Sequence, residues 1–163
     1  MEQFKVGIPL FVYGDISTTT QKLFTCLVEL QKSARIKRLL FFDTLNCLDP
    51  HFIASSQIQP QQLFKNIYCA RTERPYDLWA RLNTSEKFIR NFKIEAIIIP
   101  SLTYIFKDSE KEEIRPLLSH ILRKINHLTR KYNLITIIGN NPHSEEQITI
   151  ASNYLLYQQT MVI

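Results

Sequence analysis

The sequence predicts an α/β domain, with a mostly parallel sheet flanked by helices on both faces. Three observations carry that expectation. Short apolar runs such as Leu10–Tyr13, Leu39–Asp43 and Ile94–Ile99 are too uniformly apolar for a sheet with one wet face, so they read as strands buried on both sides. Between them lie stretches whose apolar residues recur at helical spacing. The two kinds alternate, and strands that alternate with helices pair in parallel through right-handed crossovers. With 163 residues and 45% hydrophobic content, the chain is long enough to bury one sizeable core.

Taken in order, Leu10 to Tyr13 is a first strand between Pro9 and Gly14, and a helix follows from Thr18 through Leu23, Phe24, Leu27, Val28 and Leu30, with Ser17 or Thr18 as its cap. Leu39 to Asp43 is the second strand. Asn46 to Ser56 is irregular, Gln59 to Phe64 reads as a short helix, and Asn66 to Ala70 is a weaker third strand. Pro75 opens a helix that runs towards Phe92, with Asn83-Thr84-Ser85 as an expected interruption. Ile94 to Ile99 is the most apolar strand. Leu117 to Tyr132 gives the cleanest helical stripe, through Leu118, Ile121, Leu122, Ile125, Leu128 and Tyr132, and Leu134 to Ile138 is the next strand. The tail from Ile148 to Ile163 reads as two strand pieces with a turn around Gln158 to Thr160.

Bulk features narrow the function. No apolar run approaches bilayer length and the N-terminus lacks the basic-then-apolar design of a signal peptide, so an intracellular location is expected, nuclear in a eukaryote and cytoplasmic otherwise. Cys26, Cys47 and Cys69 are far apart in apolar surroundings and read as buried free thiols. The four histidines show no ligand spacing with them, so no metal and no cofactor are expected. A net charge of +5 permits a nucleic-acid partner without requiring one.

The stretch from Val6 to Leu30 has the outline of a phosphate-binding strand, loop and helix. A working phosphate loop needs G-x-x-x-x-G-K-[ST], with glycines for backbone approach, a lysine on the outer phosphates and a hydroxyl on magnesium. Read without gaps from Gly14, the second glycine falls on Thr19, the lysine on Thr20 and the hydroxyl on Gln21. Losing the lysine and the metal hydroxyl together costs on the order of a hundredfold or more in affinity.

The order of segments resembles the ATPase core of the RecA/RadA recombinases, above all the strand-exchange branch and its paralogs. RLLFFDTLNCLDPHFI is similar to that family's second strand and acidic segment, LFKNIYCAR with PYDLWARL to its third strand and helix, IEAIIIPSLTYIF to its metal-binding strand, and LLSHILRKINHLTRKYNLITIIGNN to the helix and strand ending in its sensor pair. The resemblance runs from about Ile8 to Tyr157 and implies a RecA-like P-loop fold without the family's N-terminal DNA-binding domain. It also implies lost chemistry. Thr20 matches the phosphate lysine and Pro100 the metal aspartate, although Ser101 is kept. Leu45 matches the glutamate that activates water, Asn140 the sensor asparagine, and Asn141 its usual glutamine. A proline at the metal position offers neither charge nor an amide donor. The expectation is a degenerate pseudo-ATPase rather than an enzyme.

In a parallel sheet, residues just before the strands collect at one edge. Lys5, Lys32, Arg35, Lys37, Arg38, Arg90, Lys93, Arg130 and Lys131 fall there, extended by Arg123 and Lys124, while most acids fall at the opposite edge. Cations near helix C-termini complement the helix dipole at a few tenths of a kcal/mol each. The sharper reading takes Lys32, Arg35, Lys37, Arg38, Arg123, Lys124, Arg130 and Lys131 as a sequence-independent contact with a DNA backbone. No aromatics interleave with them, so base stacking is not expected. The resemblance puts the family's DNA-contacting loops after Phe106 and Asn141, where both are short and the second carries Glu145-Glu146.

A domain without a bridging nucleotide is expected to work by docking on a protein, with Tyr76 and Trp79 as candidate contacts, though at helical spacing these also read as core. The short RadA-like subunits of Shu-type mediator complexes, which pair with another RecA-like paralog or a SWIM-domain protein, fit this pattern. The resemblance thus implies a non-catalytic subunit that assists recombinase assembly. The alternative is a nucleotide-binding switch with an unorthodox site, like RadB or the clock-type ATPases.

Overall fold

A computed structural model describes residues 4–33, 35–48, 65–141 and 159–162. Its elements are β1 (Leu10–Tyr13), α1 (Ile16–Lys32), β2 (Leu39–Asp43), β3 (Ile67–Arg71), α2 (Pro75–Phe92), β4 (Ala96–Ile99), a 3-10 turn at Tyr104–Phe106, α3 (Lys111–Lys131), β5 (Ile135–Asn140) and β6 (Gln159–Val162). The strands form one sheet in the order β3-β2-β4-β5-β1-β6, and every neighbouring pair is parallel. The class is therefore α/β, as the alternation of patterns implies.

The buried runs divide between two cores because side chains along a strand alternate faces. Phe11, Leu40, Phe42, Ile97, Ile99 and Ile138 join the core that also holds Leu78, Leu82 and Ile89 of α2 and Ile121, Ile125 and Leu128 of α3. Their neighbours Leu10, Val12, Leu39, Phe41, Ile98 and Ile137 join the core built with Leu23, Phe24, Leu27 and Leu30 of α1. Helices thus cover both faces. Each of these side chains contributes roughly 1.5–3 kcal/mol on full burial, which is why the strands read as continuous apolar runs.

Several expectations are corrected at element ends. α1 begins at Ile16 with Asp15 as its cap, not Ser17 or Thr18, because the Asp15 carboxylate reaches the Thr18 amide at 2.9 Å. α2 runs through Asn83-Thr84-Ser85 without a break. Its hydroxyls turn back on the helix, Thr84 to the Ala80 and Arg81 carbonyls at 3.2 Å each and Ser85 to Leu82 at 2.7 Å, so none competes for a partner outside. α3 starts at Lys111 rather than Leu117 and carries Pro116 inside it. Burial of Ile114 and the acids Glu112 and Glu113 at the positive helix end favour that extra turn and offset the amide that Pro116 lacks. At the tail, Gln159 and Thr160 pair with Leu10 and Phe11 as strand where a turn was expected. The first tail strand, the helix at Gln59 to Phe64 and most of the irregular stretch after Asn46 lie outside the described residues.

The thiols divide as well. Cys26 is buried and Cys47 half-buried, and burial pushes them up to about 11 and about 12, so both stay protonated. Cys69, on the outermost strand β3, is exposed rather than buried. Among the described residues, no helix is long and apolar enough to cross a membrane.

Candidate functional site

Parallel strands finish at one edge of the sheet, and ligands in such folds sit beyond those ends. With β5 between β1 and β4, the order brings Gly14, Pro100-Ser101 and Asn140-Asn141 to that edge together. The three segments are therefore neighbours. What they build is a closed junction.

Only Gly14 and Asp15 lie between β1 and α1, and Thr19, Thr20 and Gln21 lie in the first two turns of the helix, as a helix from Thr18 implies. The Asp15 carboxylate accepts from the Thr18 amide at 2.9 Å and from the Thr18 hydroxyl at 2.6 Å. Those two bonds hold its carboxyl below the ordinary aspartate range. A helix N-terminus attracts anions through its free amides and its dipole. Here the chain supplies that anion itself, and a phosphate arriving at the same place would meet a carboxylate.

Asn141 closes the turn from the other side. Its Nδ2 donates to the Gly14 carbonyl at 2.7 Å and to Thr19 Oγ1 at 3.1 Å, and its own amide donates to Thr103 Oγ1 at 3.1 Å. Gly139 is needed for the same closeness: a Cβ there would lie 1.8 Å from the Pro100 carbonyl oxygen and 2.9 Å from Thr19 Cγ2. Pro100 therefore meets β5 through its backbone. Ser101 is fully buried; its amide donates to Thr44 Oγ1 at 3.0 Å and its hydroxyl accepts from the Tyr104 amide at 3.3 Å. Asp43, at the end of β2, accepts from the amides of Cys47 at 2.9 Å and Leu48 at 3.3 Å. Asn140 is buried and in register with Tyr13, whose hydroxyl burial pushes above its usual value. The hydrogen bonds of this edge described above serve turns and strand ends, while Thr20 Oγ1 and Asn141 Oδ1 are buried with no partner among the described residues.

A groove of about 590 Å³ does lie beside the first turns of α1, with Ser17, Thr20, Gln21, Phe24, Cys47 and Tyr104 in its wall, and no lysine or arginine lines it among the described residues. Among the described residues there is also no group of three or more histidine, cysteine, aspartate or glutamate side chains placed to hold a metal ion. No family model matches this chain, and no curated protein matches it.

The basic candidates take different situations. Lys32 ends α1. Arg35 donates to the Phe4 carbonyl at 3.2 Å and Arg38 to the Phe92 carbonyl at 3.0 Å, contacts that hold the guanidinium groups in place and leave their charge intact. The amides of Lys37 and Arg38 both donate to the Glu95 carboxylate, an acid at an edge whose sequence reads as nearly free of them. Lys124 and Lys131 instead face Glu86 of α2, at 2.9 and 3.0 Å, and His127 lies 3.4 Å from it. Hydrogen bonds from Lys124 and then Lys131 hold the Glu86 carboxyl down at about 2. Arg123, His127 and Arg130 line a shallow groove with Lys131 on the outer side of α3. Tyr76 is exposed, while Trp79 is half-buried against the core with its ring 5.8 Å from that of His120.

Sequence reasoning missed two residues here. Asp15 carried a usable signal, an acid three residues before a threonine at the start of a helical stripe. Glu86 carried none, since its partners are 38 and 45 positions away.

Proposed function

We propose that this chain is a non-catalytic RecA/RadA-like paralog that works as a subunit of a heteromeric complex assisting recombinase assembly in homologous recombination and DNA repair. The observation that carries the reading is the junction where β1, α1 and β5 meet. The strands β1, β5 and β4 lie side by side, the order such a reading requires, and the turn between β1 and α1 is only Gly14 and Asp15, capped by the Asp15 carboxylate and tied by Asn141. The wall of the adjacent groove, which among the described residues carries no lysine or arginine, supports the same reading. Its partner is another RecA-like paralog or a SWIM-domain protein, and its basic edge touches a DNA backbone without regard to sequence.

Titration calorimetry with ATP and magnesium tests the lost nucleotide site. No heat of binding is expected up to millimolar ATP, because about 1.5–3 kcal/mol for each missing charge-assisted bond removes the usual affinity. Micromolar binding would sink the reading in favour of a nucleotide switch. Isolation of the tagged chain from its host tests the partner: a RecA-like or SWIM-domain chain is expected with it, and recovery of the chain alone at equilibrium counts against a heteromeric role.

A further inference from the structure

We propose that the groove between the start of α2 and the start of α3 docks a basic segment of a protein partner, one apolar side chain seated on its floor and lysines or arginines on either side. The groove measures about 480 Å³. Its floor is apolar and fixed, since Phe106 is 1% and Leu117 8% exposed, and both are anchored in the core beneath. At its mouth stands Tyr76, 59% exposed, a large amphipathic ring of the kind that anchors interfaces at small entropic cost.

The rim supplies the sign of the partner. Asp108, Glu110 and Glu113 line the groove; Asp108 feels the neighbouring Lys107 ammonium, while Glu110 and Glu113 have no ion-pair partner among the side chains described. Glu73 faces Arg71 at 3.0 Å, and Arg74 is the one cation among the described residues of the lining. An apolar floor inside an acidic rim is complementary to an apolar anchor flanked by cations, and it repels a phosphate backbone. The chain's own undescribed stretches do not match: residues 49–64 and 142–158 contain no lysine or arginine, and the second carries Glu145 and Glu146. The apolar floor and acidic rim thus point to a basic segment of a partner protein as the occupant. This names a chemistry for the docking role inferred above and rests on that role for its biological sense.

The test uses a pool of nine-residue peptides, each with a central Phe, Leu or Trp between Lys or Arg pairs, titrated against the labelled full chain and followed by amide shifts in NMR spectra. Members with micromolar affinity should shift Tyr76, Ser109 and Glu113. Tyr76→Ala, and separately Glu110→Lys with Glu113→Lys, should each weaken them at least tenfold; all three positions are exposed, so the fold should persist, and thermal melts check it. Lys37→Glu at the far edge should leave the affinity unchanged. The proposal is overturned if no member binds below about 1 mM, if glutamate-flanked peptides or a single-stranded oligonucleotide bind the groove equally well, or if the shifts map elsewhere. ATP titrated into the same sample keeps the two readings apart. Peptide binding alongside ATP binding would remove the pseudo-ATPase reading and leave the groove, and the reverse pattern would remove the groove alone.

Discussion

At the scale of the residue, the closed junction rests on a few atoms, and their removal should be felt in stability. Asn141→Ala leaves the Gly14 carbonyl and Thr19 Oγ1 without their 2.7 and 3.1 Å partners. Buried groups stranded in this way cost about 1–3 kcal/mol, which a urea titration reads directly; an unchanged midpoint would mean that the amide closes nothing. Asn141→Asp should be worse, since a second acceptor would face the Gly14 carbonyl. Gly139→Ala asks for room that does not exist, with backbone of Pro100 at 1.8 Å from the new Cβ. Overpacking against backbone costs about 1–3 kcal/mol or more, so this variant should melt lower than wild type, and an unchanged melt would refute the packing of β5 on the Pro100 turn. Neither glycine closeness nor the Asn141 bonds could be read from the sequence, because both depend on which strands become neighbours.

At the scale of the element, α2 and α3 are held by an apolar seam and by Glu86, which meets Lys124 and Lys131 across it. The sign of its pH dependence follows from its lowered carboxyl. Unfolded, Glu86 titrates near its ordinary 4.5, and folded near about 2. The stabilisation is therefore complete above about pH 4.5 and disappears as pH falls towards 2. Wild type should lose more of its melting temperature across that window than Glu86→Gln, and added salt should narrow the gap, since the pair is partly solvated. Equal acid slopes would remove Glu86 from the seam. The elements themselves were legible because burial imposes period two on strands and period 3.6 on helices, which placed β1, β2, α2 and β5 to within a residue or two. Their ends were less so. Asp15 against Ser17 or Thr18, and the extra turn of α3 across Pro116, turn on local bonds and on burial of Ile114 that periodicity does not weigh. For the candidate site, the missing lysine and metal aspartate were legible as residue types. The shortness of the turn was legible in part: a helix from Thr18 already holds Thr19 to Gln21, but its cap falls at Ser17 or Thr18 rather than at Asp15.

At the scale of the whole molecule, cations before the strands and carboxylates beyond them give the domain two electrostatic ends, which should be distinguishable by salt. Charges that keep their field draw in a phosphate backbone, and each contact released adds to the salt dependence of binding. Arg38 is steadied by the Phe92 carbonyl oxygen, whereas Lys124 and Lys131 share the Glu86 carboxylate. Near Lys37 and Arg38, the Glu95 carboxylate is already engaged by two backbone amides, so it offsets rather than cancels them. If the basic edge touches single-stranded DNA, Lys37→Gln with Arg38→Gln should lower affinity alike for all sequences and reduce the slope of log K against log salt by about 1.4, two contacts at roughly 0.7 each. Lys124→Gln should change the slope much less, because the Lys124 side chain is mostly buried and held on Glu86 at 2.9 Å, so it makes no phosphate contact of its own. Fluorescence anisotropy with a labelled oligonucleotide between low and moderate salt measures both. A slope unchanged by the double substitution would take DNA away from this edge, and an equal effect at Lys124 would show that Glu86 does not screen it.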